Sequence, residues 1–115
     1  MHVKIYHNPR CAKSRETLKL LEERGIQPEV IEYLKTPPGA EELRDILKLL
    51  AIGPRDLMRK NEPEYKENNL HDASLSAGDL IAAMVKIPKL IERPIVVANG
   101  KAAIGRPAEN VLAIL

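Results

Sequence analysis

Within its first 33 residues the chain changes hydrophobic period twice. His2-Val3-Lys4-Ile5-Tyr6 alternates polar and apolar side chains, the two-residue period of a strand with one buried face. After the turn His7-Asn8-Pro9-Arg10, Leu18, Leu20 and Leu21 take up helical spacing. They predict a helix from about Ala12 to Arg24, with Gly25 as the residue beyond its C-terminus. Pro28 to Tyr33 then reads as a second strand. Strand, helix and strand in so short a stretch form a βαβ unit, whose right-handed crossover makes the two strands parallel neighbours.

Thr36-Pro37-Pro38-Gly39 ends this unit, and the following residues carry helical signals with no convincing strand. Leu43, Ile46, Leu47 and Leu50 predict a helix ending near Gly53, and Pro54 suits the first position of a short helix through Arg59. Asn61 to Asp72 is polar and is expected to be loop. Ser76-Ala77-Gly78-Asp79 is a capping box ahead of Leu80, Ile81, Met84 and Val85, and Pro88 ends that helix.

Strand chemistry returns in Pro94-Ile95-Val96-Val97-Ala98 and Lys101-Ala102-Ala103-Ile104, joined by Asn99-Gly100. Asn-Gly is the strongest short hairpin signal, because a type I′ turn needs positive φ at both central residues. A final helix is expected from Pro107, with Val111, Leu112 and Leu115 on one face. The order βαβ, helices, ββα predicts a thioredoxin-like α/β fold, a mixed sheet flanked by helices. Its 115 residues suit a single domain, with a core of about residues 1–39 and 90–115 and a helical insertion over about 40–89.

A net charge of +2, with the basic and acidic residues interspersed, gives no field strong enough to hold a polyanion. Trp and Phe are absent, which removes the usual platforms for stacking bases, so nucleic-acid binding is not expected. No window approaches the length of a membrane span, and the N-terminus lacks the features of a signal peptide. A cytoplasmic protein and a monomer are expected, with no tightly bound cofactor and no metal.

One cysteine, Cys11, excludes an internal disulfide and any multi-cysteine zinc site. It stands where a turn hands over to a helix, where unpaired N–H groups and the positive end of the helix dipole favour thiolate over thiol. Arg10, Lys13 and Arg15 add positive charge. Spacing narrows the chemistry. A phosphatase loop requires arginine six residues after the cysteine, where Thr17 stands, and a dithiol site requires cysteine three residues on, where Ser14 stands. A papain-type hydrolase requires a partner histidine; His7 is near, and equally suits a residue that orients the turn. His7 and Cys11 alone do not make a metal site.

With a two-residue turn at Asn99-Gly100, Ala98 faces Lys101, Val96 faces Ala103 and Arg93 faces Arg106. Like charges opposite each other persist more readily where an anion sits between them. Pairing that stops short of Arg93, a bulge, or side chains splayed into water are the alternatives. By analogy with thioredoxin-like folds, the Arg93-Pro94 bond is expected to be cis.

Five ordered motifs carry a family resemblance. They are His7-Asn8-Pro9-Arg10-Cys11-Ala12-Lys13-Ser14, Tyr33-Leu34-Lys35-Thr36-Pro37-Pro38, Leu57-Met58-Arg59-Lys60, Glu92-Arg93-Pro94-Ile95-Val96-Val97 and Gly105-Arg106-Pro107. Together they span essentially the whole chain and resemble the glutaredoxin-coupled arsenate reductases, with Arg10 and Ala12-Lys13 resembling the short chromosomal branch. The resemblance implies that Cys11 attacks arsenate or a similar oxyanion held by Arg59, Arg93 and Arg106. It also implies glutathione as co-substrate and glutaredoxin as partner. His7 is assigned to orient or support the thiolate and Ser14 to cap the helix beside it. Arg59 rests on the resemblance alone; by residue type, Arg55 or a surface arginine serves as well. Spx-like regulators that bind RNA polymerase share the segment order but commonly carry a second cysteine at the position of Ser14. A monothiol oxidoreductase acting on glutathionylated proteins is the remaining alternative.

Overall fold

A computed structural model describes residues 2–115. Strand β1 (Val3–His7) leads into helix α1 (Ala12–Glu23) and strand β2 (Glu29–Glu32), and β2 pairs parallel to β1 as the βαβ reading requires. Helix α1 ends where expected. Gly25 adopts φ +74°, its N–H bonds to Glu22 O, and Ile26 N–H reaches back to Leu21 O, a Schellman closure.

Strands β3 (Ile95–Ala98) and β4 (Lys101–Ile104) form the hairpin, with Asn99 and Gly100 at φ 55° and 70° and the register Ala98↔Lys101 and Val96↔Ala103. β3 runs antiparallel to β1, so the sheet order is β2-β1-β3-β4, the mixed thioredoxin-like sheet. The register sets Val3 opposite Ala98 and Ile5 opposite Val96. These side chains share one face and pack with Leu21 of α1 and with Val111 and Ile114 near the C-terminus.

The chain divides into two compact units, the described residues up to Thr36 together with Arg93–Leu115, and Pro37–Glu92. The second unit holds α2 (Ala40–Leu50), a 3-10 turn (Pro54–Leu57), α3 (Pro63–Glu67), α4 (Ala77–Lys86) and a second 3-10 turn (Pro88–Leu90). Ser76 Oγ accepts from Asp79 N–H and the Asp79 carboxylate accepts from Ser76 N–H, closing the expected capping box of α4.

Several expectations are corrected. Residues 61–72 are not all loop: Pro63 opens α3, whose Tyr65 is buried, as is Leu70 beyond it. Two apolar side chains in a polar stretch are too few to show a period. The short helix expected through Arg59 stops at Leu57, and Met58 instead bridges antiparallel to Ile91. The C-terminal helix is a 3-10 helix (Ala108–Ile114), with Pro107 in the capping position before it. Its three-residue period buries Ala108, Val111 and Ile114, displacing the expected Leu112 and Leu115 face. Both Arg93-Pro94, as expected, and Arg106-Pro107 are cis. No helix of the described residues is long and apolar enough to cross a membrane.

Helix α2 ends at Leu50, before Gly53, with its C-cap Ala51 in the left-handed region at φ 57°. A Cβ there crowds the following carbonyl, so Ala51→Gly raises stability by about 1 kcal/mol, read as a higher urea midpoint at unchanged slope.

Candidate active site

Two backbone bonds, two bonds between side chain and backbone, and a buried hydroxyl shape the turn between β1 and α1. Cys11 N–H donates to Asn8 O at 3.0 Å, closing a β-turn, and Arg15 N–H donates to Cys11 O at 3.0 Å, beginning the helix. Asn8 Oδ1 accepts from Arg10 N–H at 3.0 Å, and Arg15 Nη1 donates to Pro9 O at 3.0 Å. Cys11 is the N-cap of α1, in extended conformation at φ −96° and ψ 123°, half-buried and making no side-chain cap bond. The first turn of α1 contains no acidic residue. The amides there lack intrahelical acceptors, so the sulfur stands at a helix terminus without a carboxylate of that turn competing for its positive end.

Ser14 does not cap the helix. It is the third helical residue and fully buried, and its Oγ accepts from Asn8 N–H at 3.0 Å while lying 2.6 Å from His7 Nδ1. For an uncharged ring this arrangement has Ser14 donating to Nδ1, which assigns the ring proton to Nε2. His7 is buried, with 6% exposure, and burial pushes its pKa below the ordinary 6.5. Glu32 opposes that shift and Arg15 reinforces it. With its pKa held below 6.5, the His7 ring is predominantly uncharged at neutral pH.

Arg93 and Arg106 do not face each other within the ladder, because the β3–β4 pairing ends at Ile95↔Ile104. The chain nonetheless holds them side by side past the last pair. Gly105 N–H donates to Pro94 O at 2.9 Å, and Arg106 Nη1 donates to Arg93 O at 3.4 Å. Helix α1 packs on this junction through Thr17, a fully buried residue whose Oγ1 donates to Lys13 O at 2.9 Å and approaches Gly105 O at 3.4 Å. A Cβ on Gly105 would overlap Thr17 Oγ1 and come within 2.9 Å of Pro94 Cγ and 3.0 Å of Thr17 Cγ2. The helix that starts at Cys11 is thus seated against the two residues that flank inward from Arg93 and Arg106. Sequence reasoning used Thr17 only to exclude a phosphatase loop. Its buried face beside Leu18 and Leu21 was the available signal.

In the second unit the two candidate arginines separate. Arg55 Nη1 donates to Tyr65 OH at 2.6 Å and to Leu70 O at 2.5 Å, and its Nη2 donates to Asp72 O at 2.9 Å. These bonds make Arg55 the internal tie of residues 61–72. Arg59 is held differently, by the carboxylates of Glu62 and Glu92. Among the described residues, no group of three or more His, Cys, Asp or Glu is placed to hold a metal ion.

Two outcomes follow from this geometry. Gly105→Ala destabilises the fold by about 1–3 kcal/mol, and adding Thr17→Ala recovers part of that loss, a non-additivity measured by urea unfolding of both single variants and the double variant. For His7, the folded value lies below the unfolded one, so the unfolded chain binds the proton more readily. Its contribution is complete above the unfolded value of 6.5 and is lost as pH falls through the folded value. Between about pH 7 and pH 5 the wild type therefore loses more stability than His7→Gln; equal losses would contradict this.

The ArsC family matches residues 6–114. The uncharacterized protein YfgD of Escherichia coli K12 is 65% identical, covering 98% of this chain and 96% of that protein. An arsenate reductase of Neisseria meningitidis serogroup B is 53% identical over 98% of this chain and 97% of its own. The solved structure of an arsenate reductase from Vibrio cholerae superposes with a TM-score of 0.98 at 58% identity, covering 100% of this chain and 98% of that one. With a family match over nearly the whole chain and relatives above 50% identity, the chain belongs to the ArsC family.

Proposed function

We propose that this protein is an arsenate reductase, an oxidoreductase that uses the single sulfur of Cys11 with glutathione and glutaredoxin as reductants. The observation that carries the reading is the seating of α1: its N-cap is Cys11, and its Thr17 contacts Gly105, which precedes Arg106 and donates its N–H to the carbonyl of Pro94, the residue after Arg93. A cysteine heading a helix that is seated beside Arg93 and Arg106 suits a tetrahedral oxyanion, since guanidinium makes paired, charge-assisted hydrogen bonds to such anions. The family resemblance assigns Arg59 to the same anion.

In the first step the Cys11 thiolate attacks arsenic, an S–As bond forms, and one arsenate oxygen leaves as water after protonation. The glutathione thiolate then attacks Sγ of Cys11. The S–As bond breaks with its electron pair remaining on arsenic, which is reduced by two electrons and released as arsenite. The two sulfurs, each oxidised by one electron, are joined as a mixed disulfide. A glutaredoxin thiol takes the glutathionyl group and returns Cys11 as thiolate. With one cysteine in the chain, this last sulfur has to come from another molecule. A cavity of about 200 Å³ beside the turn, bordered by Arg10, Glu32 and Lys35, offers both signs of charge to a small zwitterionic thiol.

The test is arsenite formation from arsenate, glutathione and glutaredoxin. Turnover is expected in the wild type and absent in Cys11→Ser. Arg93→Ala and Arg106→Ala each raise KM for arsenate by about 10–100-fold, the value of a lost charge-assisted bond. Absence of turnover in the wild type, or its survival in Cys11→Ser, would overturn the reading. Removal of glutathione from glutathionylated proteins at a rate indifferent to both arginines would favour a monothiol oxidoreductase.

A further inference from the structure

Arg59 is already engaged. The turn that follows it, closed by Glu62 N–H donating to Arg59 O at 3.2 Å, brings the Glu62 side chain back against the guanidinium. Arg59 Nη1 donates to Glu62 Oε1, and Nε stands 3.7 Å from Glu92 Oε1. All three side chains are largely withdrawn from water, at 23%, 15% and 27% exposure, so these contacts are less screened than a surface ion pair. The second oxygen of Glu62 lies 3.5 Å from Lys89 Nζ, which is also 3.4 Å from Glu64 Oε2. Two cations therefore face three carboxylates.

That balance is the reverse of what an anion receptor needs. A guanidinium grips an oxyanion through one of two edges, each presenting a pair of N–H groups. Here each edge has a carboxylate against one of its nitrogens, Glu92 at Nε and Glu62 at Nη1. An arriving dianion meets an arginine whose charge is already neutralised and whose paired donors are divided.

We infer that Glu62 is a latch on Arg59, a positioning residue whose carboxylate occupies the guanidinium at rest and has to yield it before an oxyanion binds. Glu62 carries this role and not Glu92, because it makes the direct hydrogen bond while Glu92 stands at ion-pair distance. Lys89 works against the latch, since it draws on the same carboxylate from its other oxygen. The affinity of the protein for its anion is then set by competition between a ligand oxygen and Glu62. The inference rests on the reading of Arg59 as an oxyanion ligand.

The experiment has two readouts. Glu62→Gln keeps the shape and removes the charge, and it lowers KM for arsenate by about three- to tenfold with the gain in KM and not in kcat, because the freed arginine binds ground and transition states alike. Lys89→Met leaves Glu62 to Arg59 alone and raises KM. The second readout needs no turnover: phenylglyoxal labelling of Arg59, followed by mass spectrometry of the modified peptide, runs several-fold faster in Glu62→Gln than in the wild type. Faster labelling without arsenate turnover in any variant would sink the reductase reading and leave the latch standing. Unchanged labelling, or a raised KM in Glu62→Gln, overturns the latch itself.

Discussion

The close approach of Thr17 to Gly105 is the contact on which the rest of the candidate site depends. No side chain fits on Gly105, because a Cβ would enter the space of Thr17 and come within 2.9 Å of Pro94. The helix can therefore lie directly on the exit of the β3–β4 hairpin. The rise of a helix is about 1.5 Å per residue, so the six-residue interval from Thr17 to Cys11 places the sulfur less than two turns from this junction. Close packing transmits position efficiently, since a packed interior yields little to small displacements.

The turn before α1 is held with similar economy. Cys11 takes the N-cap place usually given to Ser, Thr, Asn or Asp, whose side chains would accept from the first-turn amides. The hydroxyl that could have capped the helix, Ser14, is turned inward to Asn8 and His7. The first-turn amides are thereby left to the neighbourhood of the sulfur. A buried, uncharged His7 braces the turn from beneath, while positive charge comes from the helix terminus and the neighbouring basic residues.

The compact unit Pro37–Glu92 divides its two arginines by environment. Arg55 is consumed by three bonds to Tyr65, Leu70 and Asp72, each of which holds an otherwise polar stretch in place. Among the described residues the Arg59 guanidinium is held by the carboxylates of Glu62 and Glu92, with which any other anion would have to compete. The same residue type thus serves as a tie to backbone carbonyls at one position and as an ion-pair partner at the other.

Local chemistry made much of this protein legible from sequence. The βαβ unit followed from hydrophobic period, the hairpin register from Asn99-Gly100, and the ends of α1 and α4 from Gly25 and the Ser76–Asp79 box, because each depends on neighbouring residues. The place of Cys11 at a helix start was equally local. Other features were decided only in three dimensions. Ladder pairing stops before Arg93 and Arg106, Ser14 serves His7 and does not cap α1, Tyr65 and Leu70 find a core, and Thr17 meets Gly105 across 88 residues of chain. Which polar atom a side chain meets, and whether a carboxylate already holds an arginine, depends on groups brought together by packing, and no periodicity in the chain encodes those meetings.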